Sequence, residues 1–277
     1  MAARTYWVHT PHPFLLRFSE NFGIRYYGLA YLAGFVAALW LLRRYHRAGR
    51  TTLDPEAAMD LVLALVVGVV AGGRLGYFLL YQPAVLLADP LALFRVWEGG
   101  MASHGGFVGV MLALAWFARR RKMSFLHLGD LVVSTVPAGL FFGRLANFAN
   151  GELWGNSATV PWAVIFPNSA PPHTPLHLIV PRHPSQLYEA ALEGLALFAF
   201  VQWRFWRGRL PERQPGRLSG EFLVAYAVAR AIGEIFREPD AGLLFGLSRG
   251  TFYSIFLAAG GLALAVGTSR RPSQGVP

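Results

Sequence analysis

The sequence predicts an all-α integral membrane protein with seven transmembrane helices. Of its 277 residues, 54% are hydrophobic and only 14% are charged. Clusters of Pro and Gly mark loops and not domain linkers, so we expect a single polytopic membrane domain over 1–277. The apolar runs suit a hydrocarbon core of roughly 30 Å and lie at about 26–42, 60–80, 101–118, 126–148, 185–203, 219–236 and 250–268.

The basic residues predict the orientation of these helices. Fifteen of them lie in the loops after the first, third and fifth runs and in the C-terminal tail, against seven in the opposite segments. Cytoplasmic loops carry an excess of Lys and Arg. The N-terminus is therefore predicted outside and the C-terminus in the cytoplasm. The first 22 residues lack the order of a cleavable signal peptide, so we expect the first helix to be retained.

The composition excludes several classes of function. The net charge of +10 falls in short loops between apolar runs, so the membrane explains it and no nucleic-acid partner is expected. A chain without cysteine has no thiol nucleophile, disulfide or thiolate metal site of its own. The sequence also lacks a P-loop, an H-E-x-x-H motif, a metal-ligand cluster and a dinucleotide fingerprint. We expect no cofactor and no metal, so the chemistry must come from the substrates.

The longest predicted outer connection, 149–184, is rich in Pro and contains the apolar stretch WAVIFP at 162–167. Such a stretch between turn residues predicts a short strand. We therefore expect a small extracytoplasmic head above the membrane within this connection, covering whatever the helices enclose.

Three arginines, Arg74, Arg144 and Arg230, fall inside predicted helices near their outer ends. Each would cost roughly 2.5 to 3.5 kcal/mol at the middle of a span, and less near the interface. Intramembrane charges therefore indicate a functional site or a partner. For Arg230 the simplest partner is Glu234, one turn away on the same face.

That internal salt bridge does not account for the other polar faces. The faces occur on the fourth, fifth and sixth helices and predict a polar cavity between them. A guanidinium is well suited to bind phosphate through two parallel hydrogen bonds. Two arginines at the outer leaflet therefore suggest a phospholipid headgroup. The residues concerned are Arg144 with Asn147, then Gln186, Glu189 and Glu193, then Arg230, Glu234 and Arg237, with Glu238 beside them.

His104 lies in the segment GGMASHGGFVG, with glycines on both sides. A lone histidine in a membrane helix is often only a hydrogen-bonded packing residue. Glycines permit close backbone approach, and imidazole has a pKa of about 6.5, so His104 could accept a proton from a thiol. Tyr27 belongs either to an interfacial aromatic belt or to the site.

Two other classes of function remain open on the residues alone. A small-solute transporter would also place polar faces between helices, although at the middle of the membrane and not at the outer ends. A lipid hydrolase could use Ser248, because GLSRG at 246–250 matches the pattern G-x-S-x-G. That motif requires a strand before its turn, and here it joins two predicted spans.

The segment GRLANFANGELWG at 143–155 closely resembles the signature of the prolipoprotein diacylglyceryl transferase family. Further similar segments run in the family's order from about Arg25 to Gly250: GGRLGYFLLY, ADPLALFRVWEGGMASHGGFVGV, RHPSQLYEAALEG and ARAIGEIFREPD. The resemblance implies a seven-span enzyme of the bacterial inner membrane that needs no metal or cofactor. Such an enzyme moves the diacylglyceryl unit of phosphatidylglycerol, drawn from the membrane lipids, onto the lipobox cysteine of a prolipoprotein signal peptide. It releases glycerol phosphate, in the first step of lipoprotein maturation.

Carried over position by position, the family's functional residues fall on eight positions of this chain. The resemblance and the residue chemistry together suggest His104, Arg144 and Arg230 as catalytic, with His104 taking the thiol proton and the arginines binding phosphate. The remaining five would position the lipid and the arginines: Tyr27, Asn147, Gly151, Glu152 and Glu234. Two departures are visible, Ala146 where a glycine is common and Thr251 where glutamine often stands.

Overall fold

A computed structural model describes residues 6–11, 13–19, 23–96, 99–208, 210–239 and 242–269. The described residues are mostly helical. They form two compact units, one from Met1–Ala38 and Val132–Pro277 and the other from Leu39–Leu131. Some basic residues used to predict the orientation lie outside the described part of the chain, namely Arg4, Arg209, Arg270 and Arg271.

Helical segments lie within each of the seven apolar runs. Four helical stretches are long and apolar enough to cross a membrane, namely Tyr26–Arg47, Pro55–Tyr81, Phe125–Asn150 and Arg249–Thr268. These stretches give the protein its membrane character. The helices of the described residues are α1 (Tyr26–Arg47), α2 (Pro55–Tyr81), α3 (Pro83–Ala88), α4 (Ser103–Arg121), α5 (Phe125–Val133), α6 (Val136–Asn150), α7 (Ser185–Glu189), α8 (Leu197–Gly208), α9 (Leu210–Arg213), α10 (Arg217–Phe236) and α11 (Arg249–Ser269).

The predicted fourth span is two helices and not one. Helix α5 ends at Val133 and α6 begins at Val136. Pro137 has no N–H and so cannot bond the carbonyl four residues before it, that of Val133. The Thr135 hydroxyl instead donates to the Val132 carbonyl at 2.8 Å. The predicted fifth span is also irregular, since a π-helical turn, Ala190–Ala196, joins α7 to α8.

In the unit Leu39–Leu131, helices α2 and α4 pack with almost no side chains between them. A Cβ added to Gly72 would collide with the Gly105 carbonyl, and one added to Gly109 would collide with the Gly68 carbonyl. Glycine lets two helix backbones approach this closely. The contact fixes α4 from Gly105 onward against α2.

The other unit contains four short strands in two separate pairs. Strand β1 (Trp7–Val8) pairs in parallel with β4 (Val164–Ile165), and β2 (Phe14–Arg17) pairs antiparallel with β3 (Gly23–Arg25). The strand predicted within WAVIFP is confirmed as β4. The sequence did not predict its partner β1 or the β2–β3 pair, because a two-residue strand is specified by its neighbours and not by its own pattern.

Candidate active site

Two glutamates lie at the centre of the candidate site, one at the end of α7 and one in the π-helical turn that follows it. Glu189 and Glu193 have fully buried side chains. Both bind Arg144 of α6: its Nη1 lies 2.9 Å from Glu189 Oε2 and its Nη2 lies 2.8 Å from Glu193 Oε2. The Arg144 Nε–H also donates to Glu193 Oε2 at 3.2 Å. A buried carboxylate needs this kind of pairing to stay charged.

The same two carboxylates bind arginines of α10. Arg230 Nη1 lies 3.1 Å from Glu189 Oε1 and 3.2 Å from Glu193 Oε1, and its Nη2 pairs with Glu234. Arg237 Nη1 adds a contact of 3.3 Å to Glu189 Oε1. Three arginines therefore face three glutamates, and the formal charges of this Arg–Glu cluster sum to zero. Arg144 and Arg230 each keep 14% of the side chain exposed.

Close backbone packing places the two glutamates against their partners. A Cβ on Gly194, within the π-helical turn, would lie 2.7 Å from Phe141 Cβ on α6. A Cβ on Gly233 of α10 would lie 3.3 Å from Glu189 Cγ. π-helical turns are uncommon and frequently lie at functional sites. Here the turn carries Glu193 between the helices that supply Arg144 and Arg230.

A second network joins α1 to the end of α6. The Tyr27 hydroxyl donates to Glu152 Oε1 and accepts a hydrogen bond from the Asn147 amide. The Asn147 amide also donates to Glu152 Oε1 at 3.0 Å, and that of Asn150 lies 3.4 Å from the same oxygen. One carboxylate oxygen of Glu152 thus accepts hydrogen bonds from three donors.

The turn after α6 holds Glu152 in place. Gly151 adopts a left-handed φ of 63°, and a Cβ there would lie 2.9 Å from the His9 ring. Leu153 is also left-handed, with φ 54°, a conformation that leucine rarely adopts. The Gln186 amide donates to the Glu152 carbonyl at 2.6 Å, and the Ser185 hydroxyl donates to the Leu153 carbonyl at 3.0 Å.

Buried His9, which follows β1, packs against this turn. Its Nε2–H donates to the Phe148 carbonyl at 2.6 Å, a carbonyl of the last turn of α6 that also accepts from the Gly151 N–H at 2.9 Å. The ring also packs against Phe148 and Phe166. Burial lowers the pKa of His9, and the hydrogen bond to Phe148 opposes that effect. His9 is therefore held neutral.

The first turn of α11 packs against Glu234. A Cβ on Gly250, in the first turn of α11, would collide with the Glu234 carboxylate. Ser248 caps that helix, because its Oγ accepts from the Thr251 N–H at 3.1 Å and donates to Thr251 Oγ1 at 3.0 Å. Thr251 thus completes a cap, and Ser248 follows a turn and not the strand that a serine-hydrolase elbow requires.

His104 belongs to the other unit. It is exposed and lies in the first turn of α4, just after the helix start at Ser103. The other seven candidates all belong to the unit described above, where Tyr27, Asn147 and Glu152 form one network and Arg144, Arg230 and Glu234 form the other. Gly151 lies between Asn147 and Glu152 in the sequence. Among the described residues no group of His, Asp or Glu is arranged to hold a metal ion.

The model of the family described as prolipoprotein diacylglyceryl transferase matches residues 13–267. The chain belongs to this family. It is 45% identical to the phosphatidylglycerol–prolipoprotein diacylglyceryl transferase of Zymomonas mobilis, over 90% of this chain and 85% of that protein. It is likewise 45% identical to the enzyme of that name from Idiomarina loihiensis, over 99% of this chain and 100% of that protein. The transporter and hydrolase alternatives find no support in these relatives.

Within this prolipoprotein diacylglyceryl transferase, the sequence separated groups that the structure joins. The sequence predicts that the two arginines bind phosphate, and it places Glu189 and Glu193 on a separate polar face. In the structure these glutamates are the partners of both arginines. The signal for this was available, because buried acids and bases on facing helices must be paired. Glu238, in contrast, pairs with Arg182 and accepts from Trp154 Nε1 at 3.1 Å.

The sequence did not predict that two further residues, His9 and Tyr226, lie near the candidate site. His9 lies far from any motif, and its contact with the Gly151 turn depends on the pairing of β1 with β4. Tyr226 lies on α10 one turn before Arg230, close to Glu193 and Arg144. A tyrosine on an apolar helix is most often part of the core or of an aromatic belt. Only the fold of the transferase shows which face it occupies.

Proposed function

We propose that this chain transfers the diacylglyceryl group of phosphatidylglycerol to the thiol of the lipobox cysteine of a prolipoprotein, releasing glycerol phosphate. The family membership supports the reaction, and the names of the relatives specify phosphatidylglycerol and a prolipoprotein as substrates. Because the 277-residue sequence contains no cysteine, the attacking thiol comes from the substrate.

The Arg–Glu cluster is the observation that carries this proposal. Glu189 and Glu193 hold Arg144 and Arg230 on the same two carboxylates. A pair of preorganised guanidinium groups is suited to a phosphate ester, on which negative charge grows as the ester leaves. The partial exposure of both arginine side chains leaves them accessible to a phosphate oxygen.

The reaction then proceeds by displacement at a glyceryl carbon. The cysteine sulfur forms a bond to that carbon, and the carbon–oxygen bond to phosphate breaks. Glycerol phosphate leaves with the bonding electron pair, which Arg144 and Arg230 stabilise. His104 accepts the thiol proton, because imidazole is the side chain that most often acts as a general base near neutral pH.

The second network positions these groups. Tyr27, Asn147 and Glu152 form a hydrogen-bonded set beside Arg144 on the same helix end, suited to orient the lipid headgroup. Gly151 supplies the left-handed turn that directs Glu152 back to Asn147. Glu234 holds the far side of Arg230. Positioning of this kind contributes to the rate by fixing the reacting geometry.

The membrane arrangement is part of the proposal. The chain is a single multi-pass domain of seven transmembrane helices in the bacterial inner membrane, with the N-terminus outside and the C-terminus in the cytoplasm. Residues 149–184 form the extracytoplasmic head together with the N-terminal strands. The excess of basic residues in alternate loops supports this orientation, which puts the Gly151 turn and the lipid site on the outer side.

The test is the mass of a lipobox peptide incubated with purified protein in phosphatidylglycerol vesicles. The wild-type protein should add one diacylglyceryl unit. Arg144→Ala should lose most of the rate, whereas Arg121→Ala, which removes an exposed partner of Asp60, should keep it. A near-normal rate for Arg144→Ala would contradict the phosphate role. If His104→Gln kept its activity with an unchanged pH profile, the role of His104 as a base would be wrong.

A further inference from the structure

Arg74, the third arginine within a membrane-spanning helix, has a buried guanidinium with an unusual set of partners. It lies on α2 with 3% of its surface exposed. Its partners among the described residues are main-chain carbonyls of the segment that precedes α4. The Nε–H donates to Leu93 at 3.1 Å, Nη1 donates to Gly99 and Gly100, and Nη2 donates to Ala92 and Arg95.

These contacts match the full hydrogen-bonding capacity of an arginine. A guanidinium has five N–H donors, one on Nε and two on each Nη. The five carbonyls receive one donor each in the distribution that this geometry allows, one from Nε and two from each Nη. Lysine offers three donors on a single nitrogen and cannot reproduce this fork. The site is therefore specific for arginine.

The last two carbonyls bound by Arg74, those of Gly99 and Gly100, come shortly before His104 in the sequence. Gly99 and Gly100 have left-handed φ values of 79° and 77°, and a Cβ on Gly100 would lie 2.6 Å from the Tyr77 ring. The Ala102 N–H then donates to the Gly73 carbonyl at 2.9 Å. Ala102 is the residue before α4, and His104 is the second residue of that helix.

We propose that Arg74 is a positioning residue that holds the main chain at Ala92–Arg95 and Gly99–Gly100 and, through Gly99 and Gly100, the first turn of α4 that carries His104. The inference rests on the proposed role of His104 in the transfer. The α2–α4 glycine contact fixes the helix from Gly105 onward, so the residues before it take their position from the segment that Arg74 binds. A residue acting in this way changes the reaction without touching a substrate.

The experiment compares Arg74→Lys with wild type and with Arg121→Lys, a conservative change in the same unit outside this segment. Hydrogen exchange measures the amides of 99–106, with the amides of α10 as the internal reference. The rate at which diethyl pyrocarbonate modifies His104, read by peptide mass spectrometry, reports its surroundings without any catalytic assay. Transfer to a lipobox peptide gives kcat and KM separately.

We expect Arg74→Lys to lower kcat by roughly 10- to 100-fold with a smaller change in KM, as misplacement of a catalytic group does. Exchange at 99–106 should rise and the modification rate of His104 should change, while α10 keeps its protection. Arg121→Lys should match wild type in all three measurements. Gly100→Ala, which disturbs the same segment from the side of Tyr77, should reproduce the changes at His104.

Two results would overturn the proposal. One is an Arg74→Lys protein whose exchange at 99–106 and His104 modification equal those of wild type. The other is a general loss of protection that includes α10, which would give Arg74 a purely structural role. These readouts do not depend on the chemistry of His104. A His104→Gln protein that kept its activity would refute the proposed base and leave the effect of Arg74 on the segment intact.

Discussion

Replacing Glu193 by Gln tests how far the Arg–Glu cluster supports the fold. The change keeps the shape of the side chain and removes one of six charges, so the cluster gains a net positive charge. Glu193 lies 2.8 Å from Arg144 and 3.2 Å from Arg230. At an effective dielectric constant of about 20, each contact is a gross attraction of about 5 to 6 kcal/mol. Much of that attraction is offset by the desolvation of the charges in the native protein.

The net loss is the cost of leaving an arginine without its buried partner. Removing one member of such a pair destabilises proteins by about 3 to 5 kcal/mol, a large part of a total stability of about 5 to 15 kcal/mol. The free energy of unfolding can be measured in mixed detergent and sodium dodecyl sulfate micelles. Glu193→Gln should lower it by about 3 kcal/mol or more.

Glu221 provides the matched control. It also binds two arginines, Arg204 at 2.6 Å and Arg217 at 3.0 Å, but its side chain keeps 17% exposure. Solvent screens such pairs, so Glu221→Gln should cost about 1 kcal/mol or less. Equal losses for the two variants would refute the argument that burial makes the cluster important.

Three further results are expected. Gly250→Ala should push Glu234 out of place and lower the transfer rate about tenfold, whereas Gly260→Ala, whose Cβ would enter open space, should not; equal rates would contradict the packing argument. Burial lowers the pKa of His9 in the folded protein. As the pH falls, the unfolded chain therefore takes up a proton on this imidazole before the folded protein does, and the free energy of unfolding decreases below about pH 6.5. Hydrogen exchange of the α6 end at pH 7.5 and 5.5 should show this loss, and His9→Gln, which keeps a donor, should abolish it. Tyr27→Phe removes a hydroxyl bonded to a carboxylate and should lower kcat/KM roughly 10- to 100-fold; wild-type kinetics would remove Tyr27 from the site.

The sequence predicted those features that follow from local composition. Apolar runs placed the helices, because burial in lipid depends on length and hydropathy. The charges at Arg144 and Arg230 marked the site, because a charge inside a membrane helix is costly. The pattern of WAVIFP gave β4. The family resemblance supplied the expected roles of Glu152 and Gly151. The spacing alone did not reveal that Glu152 pairs with Tyr27 and Asn147.

The features that the sequence did not predict depend on tertiary contacts. The π-helical turn brings Glu193 to Arg144, and Gly194 in the same turn packs closely against Phe141. The left-handed Leu153 is held by hydrogen bonds from α7, which no local propensity encodes. The break after α5 is an exception, because Pro137 marked it and the apolar content of the run obscured the signal.

The parallel pairing of β1 with β4 has a consequence for synthesis. Trp7–Val8 finds its partner Val164–Ile165 about 160 residues later in the chain, and ribosomes add roughly 5 to 20 residues per second. The first strand therefore waits about 8 to 30 s at that rate before its partner exists. His9 waits with it, so the end of α6 is closed only after most of the protein has been made. Assembly of the proposed lipid site is in this way a late event in biogenesis, and a chain truncated before Val164 would leave the end of α6 uncovered.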